Sequence, residues 1–297
     1  MSARLVATLL LAGLAASRAT AVPPPPGPAA AAPASAWVEA CTDWDEWDKA
    51  GPPYRIFGNT YYVGTCGIAA ILIAGETGHI LIDGGSRGGA PLVSTNIAKL
   101  GFRPSDVKIL LHSHEHFDHV GGLAGLQRIT GARLLASQAA APVLRSGETA
   151  SDDPQYGMHD PFAPARVDGL VTPGEPLTLG TLSLIPIATP GHTTGALSWT
   201  WTSCEGADCR AMVYADSLSP VSAENYRFSD HPEWITAYHA GLARLREVSC
   251  DILMTPHPSA SGMRARLVGE PAMTCAAYAD AIHARLDERL EQERAAR

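Results

Sequence analysis

A short histidine-rich run, HSHEHFDH at residues 112–119, constrains the fold of this chain more than any other feature. It directly follows residues 107–111, which have the apolar composition of a buried strand. Because alternate residues at the end of a strand point the same way, His114 and His116 can hold one metal ion, and the aspartate and histidine after the turn can face a second. Imidazole and carboxylate are ligands that zinc accepts, and three protein ligands leave a position open for water. The run therefore predicts a catalytic type of metal site at the end of a buried strand.

Two later histidines extend the candidate ligand set. His192 lies in the segment ATPGHT and His257 in MTPHP, and each segment follows an apolar strand. Either histidine alone would be typical of an ordinary loop. Their shared position at a strand end, beside proline and glycine, is where sheet proteins place functional groups. We therefore expect both to join the metal site.

The order of predicted elements is typical of an α/β protein. Strands and helices alternate up to about residue 137, and a polar, proline-rich loop follows at residues 147–176. Three strands, a helix at residues 234–248, a further strand and a long helix at residues 272–297 complete the chain. The two halves repeat one plan, which predicts two sheets packed face to face with helices outside them.

Composition and charge exclude several classes of protein. Hydrophobic residues make up 46% of the 297 residues, which excludes intrinsic disorder. A formal net charge of −8 argues against a nucleic acid partner, because a phosphate backbone requires clustered lysine and arginine. This length allows two domains, but no second linker interrupts the chain after Trp37. We therefore expect one domain spanning residues 37–297.

The N-terminus predicts export. Residues 1–21 combine a basic start, an apolar stretch and an Ala-Thr-Ala cleavage site, which are the three parts of a secretory signal peptide. The apolar stretch is too short to span a membrane, and no cysteine directly follows the cleavage site to carry a lipid. Residues 22–36 are rich in proline and alanine and predict a disordered leader. We expect a periplasmic protein without a membrane anchor, and a monomer.

Export to an oxidising compartment makes disulfides the expected state of the cysteines. There are six of them, Cys41, Cys66, Cys204, Cys209, Cys250 and Cys275, and six cysteines allow 15 connectivities. Cys204 and Cys209 flank a turn-like segment, so a local bridge between them is easy. Metal binding by cysteine is the competing hypothesis, and it is disfavoured because the chain has no C-x-x-C pair.

Taken together, these motifs resemble the metallo-β-lactamase superfamily. After Trp37 the sequence is most similar to subclass B3, and the likeness includes the segments YVGTCG, YADSLS and TPHP. The resemblance implies a four-layer αβ/βα sandwich, with two mixed β-sheets, helices on the outer faces and two zinc ions at one edge. It also implies three disulfides, which are Cys41–Cys66, Cys204–Cys209 and Cys250–Cys275.

The resemblance further implies roles for individual residues. The ligands of the first zinc would be His114, His116 and His192. The ligands of the second zinc would be Asp118, His119 and His257. Asp118 would in addition act in catalysis, by orienting a zinc-bound hydroxide. Ser217 would hydrogen-bond zinc-bound water and, together with Ser219, would belong to the substrate-binding residues.

Four other polar residues have roles predicted from their positions in the sequence. Asp83, in an Ile-Asp-Gly-Gly turn, is expected to support a metal ligand from behind. Gln155, in the long loop, is a candidate for substrate binding. His112 lies one step deeper in the strand than His114 and is expected to be a core residue. Glu115 is expected to face away from the metals, as a solvated or structural residue.

The expected function is zinc-dependent hydrolysis of the β-lactam amide bond of penicillins, cephalosporins and carbapenems, which confers antibiotic resistance. One alternative is an acyl-lactonase or a glyoxalase-like thioesterase, in which a later aspartate bridges two metals, and Asp216 could be aligned with that aspartate. An alternative of another class is a non-catalytic periplasmic zinc-binding protein. Such a protein is expected to close the coordination shell of its metal, whereas this ligand set leaves room for water.

Overall fold

The computed structural model describes residues 33–296. The predicted signal peptide and residues 22–32 of the predicted leader lie outside the described residues. The strands are β1 (Tyr54–Phe57), β2 (Thr60–Tyr62), β3 (Ile71–Ile73), β4 (His79–Ile82), β5 (Val107–Leu111), β6 (Arg133–Ala136), β7 (Val167–Leu170), β8 (Leu177–Leu179), β9 (Leu182–Ala188), β10 (Leu197–Glu205), β11 (Asp208–Tyr214) and β12 (Ile252–Met254). The α-helices are α1 (Ala34–Ala40), α2 (Gly89–Lys99), α3 (Phe117–Val120), α4 (Leu123–Thr130), α5 (Ala140–Ser146), α6 (Pro232–Glu247), α7 (Met263–Leu267) and α8 (Cys275–Ala295).

The strands form two mixed sheets. The seven-stranded sheet has the order β1-β2-β3-β4-β5-β6-β7, with antiparallel pairing up to β4 and parallel pairing from β4 to β7. The five-stranded sheet has the order β12-β11-β10-β9-β8, in which only β11 and β12 are parallel. The predicted fold class is therefore confirmed.

Three groups of buried side chains join the layers. The group between the two sheets contains Ile71 and Trp199, and a second group beneath α2 and α4 contains Leu72 and Val93. A third group, which contains Leu242, lies between the five-stranded sheet and helices α6 and α8. Ile71 and Leu72 are neighbours in β3 but belong to different groups, because successive side chains of a strand point to opposite faces. Strands β3 and β4 of the seven-stranded sheet are buried on both faces, which explains why their sequences, ILI and HILI, are almost continuously apolar.

The polar loop predicted at residues 147–176 contains a strand. β7 (Val167–Leu170) pairs in parallel with β6 and forms one edge of the seven-stranded sheet. Asp168 and Gly169 are poor strand formers, so the sequence pattern of β7 was weak. The side chain of Asp168 supports the pairing, because it accepts a hydrogen bond from the backbone N–H of Leu134 at 3.0 Å.

At the N-terminal end, α1 (Ala34–Ala40) overlaps the last residues of the predicted leader at 22–36. Trp37 is buried within this helix, and Ala34 and Val38 pack against the group of side chains between the sheets. The helix therefore includes residues 34–36, which the sequence analysis assigned to the leader.

Three disulfides join the six cysteines in the expected pairs. Cys41–Cys66 and Cys250–Cys275 each close a sequence separation of 25 residues, and Cys204–Cys209 closes a separation of 5 residues at the β10–β11 hairpin. Among residues 33–296, no helix is both long enough and apolar enough to cross a membrane.

Candidate metal centre

The candidate ligands meet at one edge of the sandwich because each follows the end of a strand. His114 and His116 follow β5, which is paired in parallel on both sides, and the carboxyl ends of parallel strands commonly border a binding crevice. His192 follows β9 and His257 follows β12, both in the five-stranded sheet. Two hydrogen bonds join the two sheets here. Leu197 N donates to the carbonyl of Ser113 at 2.7 Å, and Trp199 Nε1 donates to the carbonyl of His112 at 2.9 Å.

The position of His192 beside the other candidate ligands depends on a glycine. Gly191 has a φ of +150°, and a Cβ added there would lie 2.3 Å from the ring of Tyr238. Only glycine allows the chain to pass this closely over the ring. The carbonyl of Gly191 also accepts a hydrogen bond from Trp234 Nε1 at 2.8 Å, so α6 fixes the turn that presents His192.

His114, His116 and His192 form a compact group that we call the first triad. Each offers one ligand atom, and these atoms all lie within 4.8 Å of one another. His116 Nδ1 and His192 Nε2 are 3.2 Å apart, and the rings of His114 and His192 are 4.6 Å apart. All three side chains are buried. The structure therefore brings together the three residues predicted to hold the first zinc.

One ring nitrogen of each histidine in the first triad, which we call the outer nitrogen, lies close to an oxygen atom. His114 Nδ1 lies 2.8 Å from a carboxylate oxygen of Asp216, and His116 Nε2 lies 3.1 Å from one of Asp153. His192 Nδ1 lies 2.8 Å from the carbonyl oxygen of Ser219. Such outer partners fix the orientation of a metal-binding imidazole and its tautomer.

Asp118, His119 and His257 form a second group, the second triad. The Oδ2 atom of Asp118 lies 3.0 Å from His119 Nε2 and 3.4 Å from His257 Nε2. Asp118 and His119 also form a three-residue group with His114 in which the ligand atoms lie within 4.8 Å of one another. The two triads are therefore adjacent, as a two-metal site requires.

Asp83 lies behind the second triad. Its buried carboxylate accepts hydrogen bonds from Ser113 N at 2.7 Å and from Tyr214 Oη at 2.7 Å, and it lies 3.8 Å from His119 Nδ1. Its φ of +66° is unusual for a residue other than glycine. The structure thus places Asp83 next to His119, one of the candidate ligands, and its supporting role stays a prediction.

The residues present fit a metal. Nε2 of His114 is buried and has no hydrogen-bond partner among the described residues. An unpaired nitrogen in such a position is costly unless something binds it. Nitrogen and carboxylate oxygen donors in two sets of three also match the ligand chemistry of zinc.

Electrostatics favour the metal-binding protonation state in three of the six candidate ligands, whereas Asp153 beside His116 and Asp118 beside His119 outweigh burial and raise the pKa of those two imidazoles. Burial, together with nearby imidazoles, keeps the pKa of His114 and of His192 well below the usual histidine value, so both rings are neutral. Burial raises the pKa of Asp118, but the contacts with His119 and His257 outweigh it and hold that pKa well below the usual value. Neutral imidazoles and ionised carboxylates are the forms that bind metals.

A groove of about 420 Å³ opens over the two triads. Ser217, Ser219 and Gln155 all line it, as do the aromatic side chains of Trp44 and Trp47. The hydroxyl of Ser217 is buried and makes no hydrogen bond within the described part of the chain, so it is free to donate to a ligand. The three candidate substrate-binding residues therefore share one groove with the metal ligands.

The remaining polar residues of the motif serve the fold. His112 is a core residue, as expected: it is fully buried, its Nε2 accepts from Ser137 N at 3.1 Å, and burial lowers its pKa to about 4. Glu115 is buried and therefore structural, not solvated. It accepts hydrogen bonds from Thr193 Oγ1 at 2.7 Å and Gly195 N at 2.9 Å, which tie the β5 loop to the turn after His192.

Asp153 is a candidate positioning residue that the sequence analysis did not identify. It lies in the long loop, two residues before Gln155, and is 4% exposed. Besides contacting His116, it accepts a hydrogen bond from Gln155 N at 2.7 Å. A second backbone bond, from Ala223 N to the carbonyl of Pro154 at 2.8 Å, attaches the loop to the chain beyond Ser219. The only signal in the sequence was an aspartate pair, Asp152-Asp153, in a loop of unusual length.

Comparisons with known proteins agree with this geometry. The metallo-beta-lactamase superfamily model matches residues 63–205. The structure of the MIM-2 metallo-beta-lactamase is 58% identical, with a TM-score of 0.85, and the match covers 89% of this chain and 100% of that one. MEM-A1, a subclass B3 metallo-beta-lactamase isolated from a soil metagenome library, is 41% identical, with a TM-score of 0.80, over 85% of this chain and 100% of that one.

A more distant likeness connects the chain to a hydrolase of another name. The hydroxyacylglutathione hydrolase of Rhodopseudomonas palustris (strain BisB5) is 29% identical over 211 residues. That match covers 70% of this chain and 66%, just under two thirds, of the relative. Identity and coverage are both greater for the metallo-beta-lactamases. The chain belongs to the metallo-β-lactamase superfamily and, within it, to subclass B3.

Proposed function

We propose that this protein hydrolyses the β-lactam amide bond of penicillins, cephalosporins and carbapenems, and so confers resistance to them. The observation that carries the proposal is the pair of adjacent triads at the floor of an open groove. Similarity over the full length of a named metallo-beta-lactamase supports it. A groove of this size is typical of a small-molecule site.

In this proposal, each triad holds one zinc ion. When bound, the two ions supply Lewis acidity and lower the pKa of a water molecule to about 7. Hydrogen bonds to Asp153 and to the carbonyl of Ser219 hold the imidazoles of His116 and His192 in fixed orientations, and Asp216 lies beside His114. Asp118 orients the attacking water, because its carboxylate is ionised and lines the groove. No side chain has to act as a covalent nucleophile.

Substrate binding is assigned to the wall of the groove that contains Ser217, Ser219 and Gln155. The free hydroxyl of Ser217 would donate a hydrogen bond to the carboxylate that β-lactam substrates carry, and the hydroxyl of Ser219, which lies 3.2 Å from His192 Nδ1, would donate a second. Arg285 lines the same groove and is the only lysine or arginine among the described residues that do so. It would attract the anionic substrate to a protein whose net charge is −8.

The alternative hydrolases depend on Asp216 as a metal bridge. Asp216 lies 2.8 Å from His114 Nδ1, whereas the unpartnered nitrogen of that ring is Nε2. Asp216 therefore lies beside the ring nitrogen opposite the one that is free for a metal, which favours β-lactam hydrolysis over the lactonase and thioesterase alternatives. The non-catalytic alternative is disfavoured by the open groove over the triads.

We also propose that the protein works in the periplasm, as a monomer. Support comes from the features of residues 1–21 and from the three disulfides, which are typical of proteins in oxidising compartments.

One assay tests the proposed function. Hydrolysis of a carbapenem and a cephalosporin is followed by absorbance, in parallel with an acyl-homoserine lactone and a glutathione thioester. We expect turnover of both β-lactams, its loss after treatment with EDTA and its return when two equivalents of zinc are added. Turnover of only the lactone or the thioester would overturn the proposal, and so would β-lactam hydrolysis by protein that retains no metal.

A further inference from the structure

We propose that helices α6 and α8 hold a third metal site, separate from the two triads, whose ligands are His239, His283 and Asp287. The ligand atoms of these residues all lie within 4.8 Å of one another. The rings of His239 and His283 are 4.7 Å apart, at an angle of 60° between their planes. His283 Nε2 lies 3.7 Å from Asp287 Oδ2. None of the three residues belongs to either triad.

Helix geometry explains why these side chains converge. His283 and Asp287 are four residues apart in α8, so they lie on the same face of that helix. His239 comes from α6, which packs along α8. A metal bound here would therefore connect two helices, whereas an ion pair of His283 with Asp287 lies within α8 alone.

The imidazole of His239 is available to a ligand. Within the described chain it makes a ring contact with His283 and neither a hydrogen bond nor an ion pair. Its ring nitrogens are therefore free to bind something else. The side chains of His283 and Asp287 are 50% and 59% exposed, so a metal can enter from solvent and water can complete its coordination.

The chemistry of the donors selects the class of metal. Two imidazoles and one carboxylate suit zinc and similar transition metals. Calcium and magnesium prefer sites built entirely from oxygen, which this site cannot offer. Since the site is exposed and has three protein ligands, we expect it to bind Zn²⁺ less tightly than the buried triads do.

The site would act on the groove through the two helices that it joins. Tyr278 of α8 donates hydrogen bonds to the carbonyls of Asp216 at 3.1 Å and Ser217 at 2.6 Å. In α6, Tyr238 donates to the carbonyl of Leu218, and Trp234 to that of Gly191. A metal that fixes α6 against α8 therefore steadies the backbone behind Ser217 and His192, and stabilises the folded protein by mass action.

The test is a zinc titration of the full protein. Metal content is measured after equilibrium dialysis against increasing zinc, and the melting temperature is recorded with and without excess zinc. We expect the wild type to bind two equivalents tightly and a third more weakly, and the third to raise the melting temperature by about 2–4 °C. Crystals soaked in zinc should show an anomalous peak between His239 and His283.

Three variants make the result decisive. His283→Ala and His239→Ala should each lose the third equivalent and the rise in melting temperature. Asp280→Asn is the matched control, because Asp280 pairs with Arg246 across the same two helices, and this variant should keep the third equivalent. His116→Ala should lose metal at the first triad and keep the helix site, which separates this test from the proposed function. A third equivalent that persists in both His283→Ala and His239→Ala, or is missing from the wild type, would overturn the proposal.

Discussion

The two triads use similar donor atoms but receive different mechanical support. In the first triad, all three histidines are buried and each outer nitrogen meets an oxygen of Asp216, Asp153 or Ser219. In the second, the side chain of His257 is 21% exposed, and its ring contacts Trp44 and Trp47, which are themselves exposed. The first triad is therefore the more firmly supported group, and we call it the anchor. The second triad includes a candidate ligand at the rim of the groove, His257, which we call the rim ligand.

The largest expected effect comes from breaking the anchor. We expect His116→Ala to lower kcat/KM for a carbapenem by about a thousandfold or more, because loss of a metal removes about 4 kcal/mol of transition-state stabilisation. Zinc content by mass spectrometry should fall below that of the wild type, and circular dichroism should show that the fold is retained. Wild-type activity in this variant would mean that the first triad is not the anchor.

A smaller loss is expected when the rim ligand is removed. His257→Ala leaves Asp118 and His119 in place, so we expect a decrease of about a hundredfold in kcat/KM and one zinc per chain at low zinc concentration. Excess zinc should restore part of the activity, because the remaining ligands are still positioned. If His116→Ala and His257→Ala prove equal in both readouts, the contrast between the triads is wrong.

The support of the anchor is itself testable at Asp153. Asp153→Asn keeps the size of the side chain but removes the charge next to His116 Nε2, which makes that imidazole a poorer ligand. We expect zinc affinity at the first triad to fall by about tenfold, measured by competition with a chromophoric chelator. Asp152→Asn is the matched control because Asp152 is an exposed neighbour, and its zinc affinity should equal that of the wild type.

The smallest effect is expected when Trp47, an aromatic neighbour of His257, is removed. Trp47 lies 5.8 Å from the ring of His257 and 5.7 Å from that of Phe117, counted between ring centres. Removing it in Trp47→Ala costs about 0.5–1 kcal/mol of packing, so zinc affinity of the second triad should fall about twofold to fivefold. The first triad should keep its affinity. A matching loss at both triads would show that Trp47 supports the whole edge of the sandwich.

The anchor was more accessible to sequence reasoning than its supports. His114 and His116 are separated by one residue after an apolar strand, so local geometry alone placed them on one face. His192 and His257 each follow an apolar strand beside proline, which is also a local signal. The grouping of all six ligands into two sets came from the resemblance, because no local pattern tells which strands end side by side.

Asp153 could not be predicted because its role depends on long-range packing. It lies in a loop without hydrophobic periodicity, 37 residues from His116, and only the path of that loop brings them together. β7 was missed for a related reason: its sequence, VDGL, is a poor strand pattern that pairing with β6 overrides. Tertiary contacts determine both the position of Asp153 and the formation of β7.

The origin of the ligands in both sheets has a consequence for the order of folding. Residues 114–119 follow a strand of one sheet, whereas His192 and His257 follow strands of the other. When only one of the two sheets has formed, neither triad has all three of its residues in place, so the chain binds zinc poorly. Metal capture must then follow the docking of the two sheets. Zinc is therefore expected to slow unfolding while leaving the rate of folding unchanged, because its contacts form after the transition state.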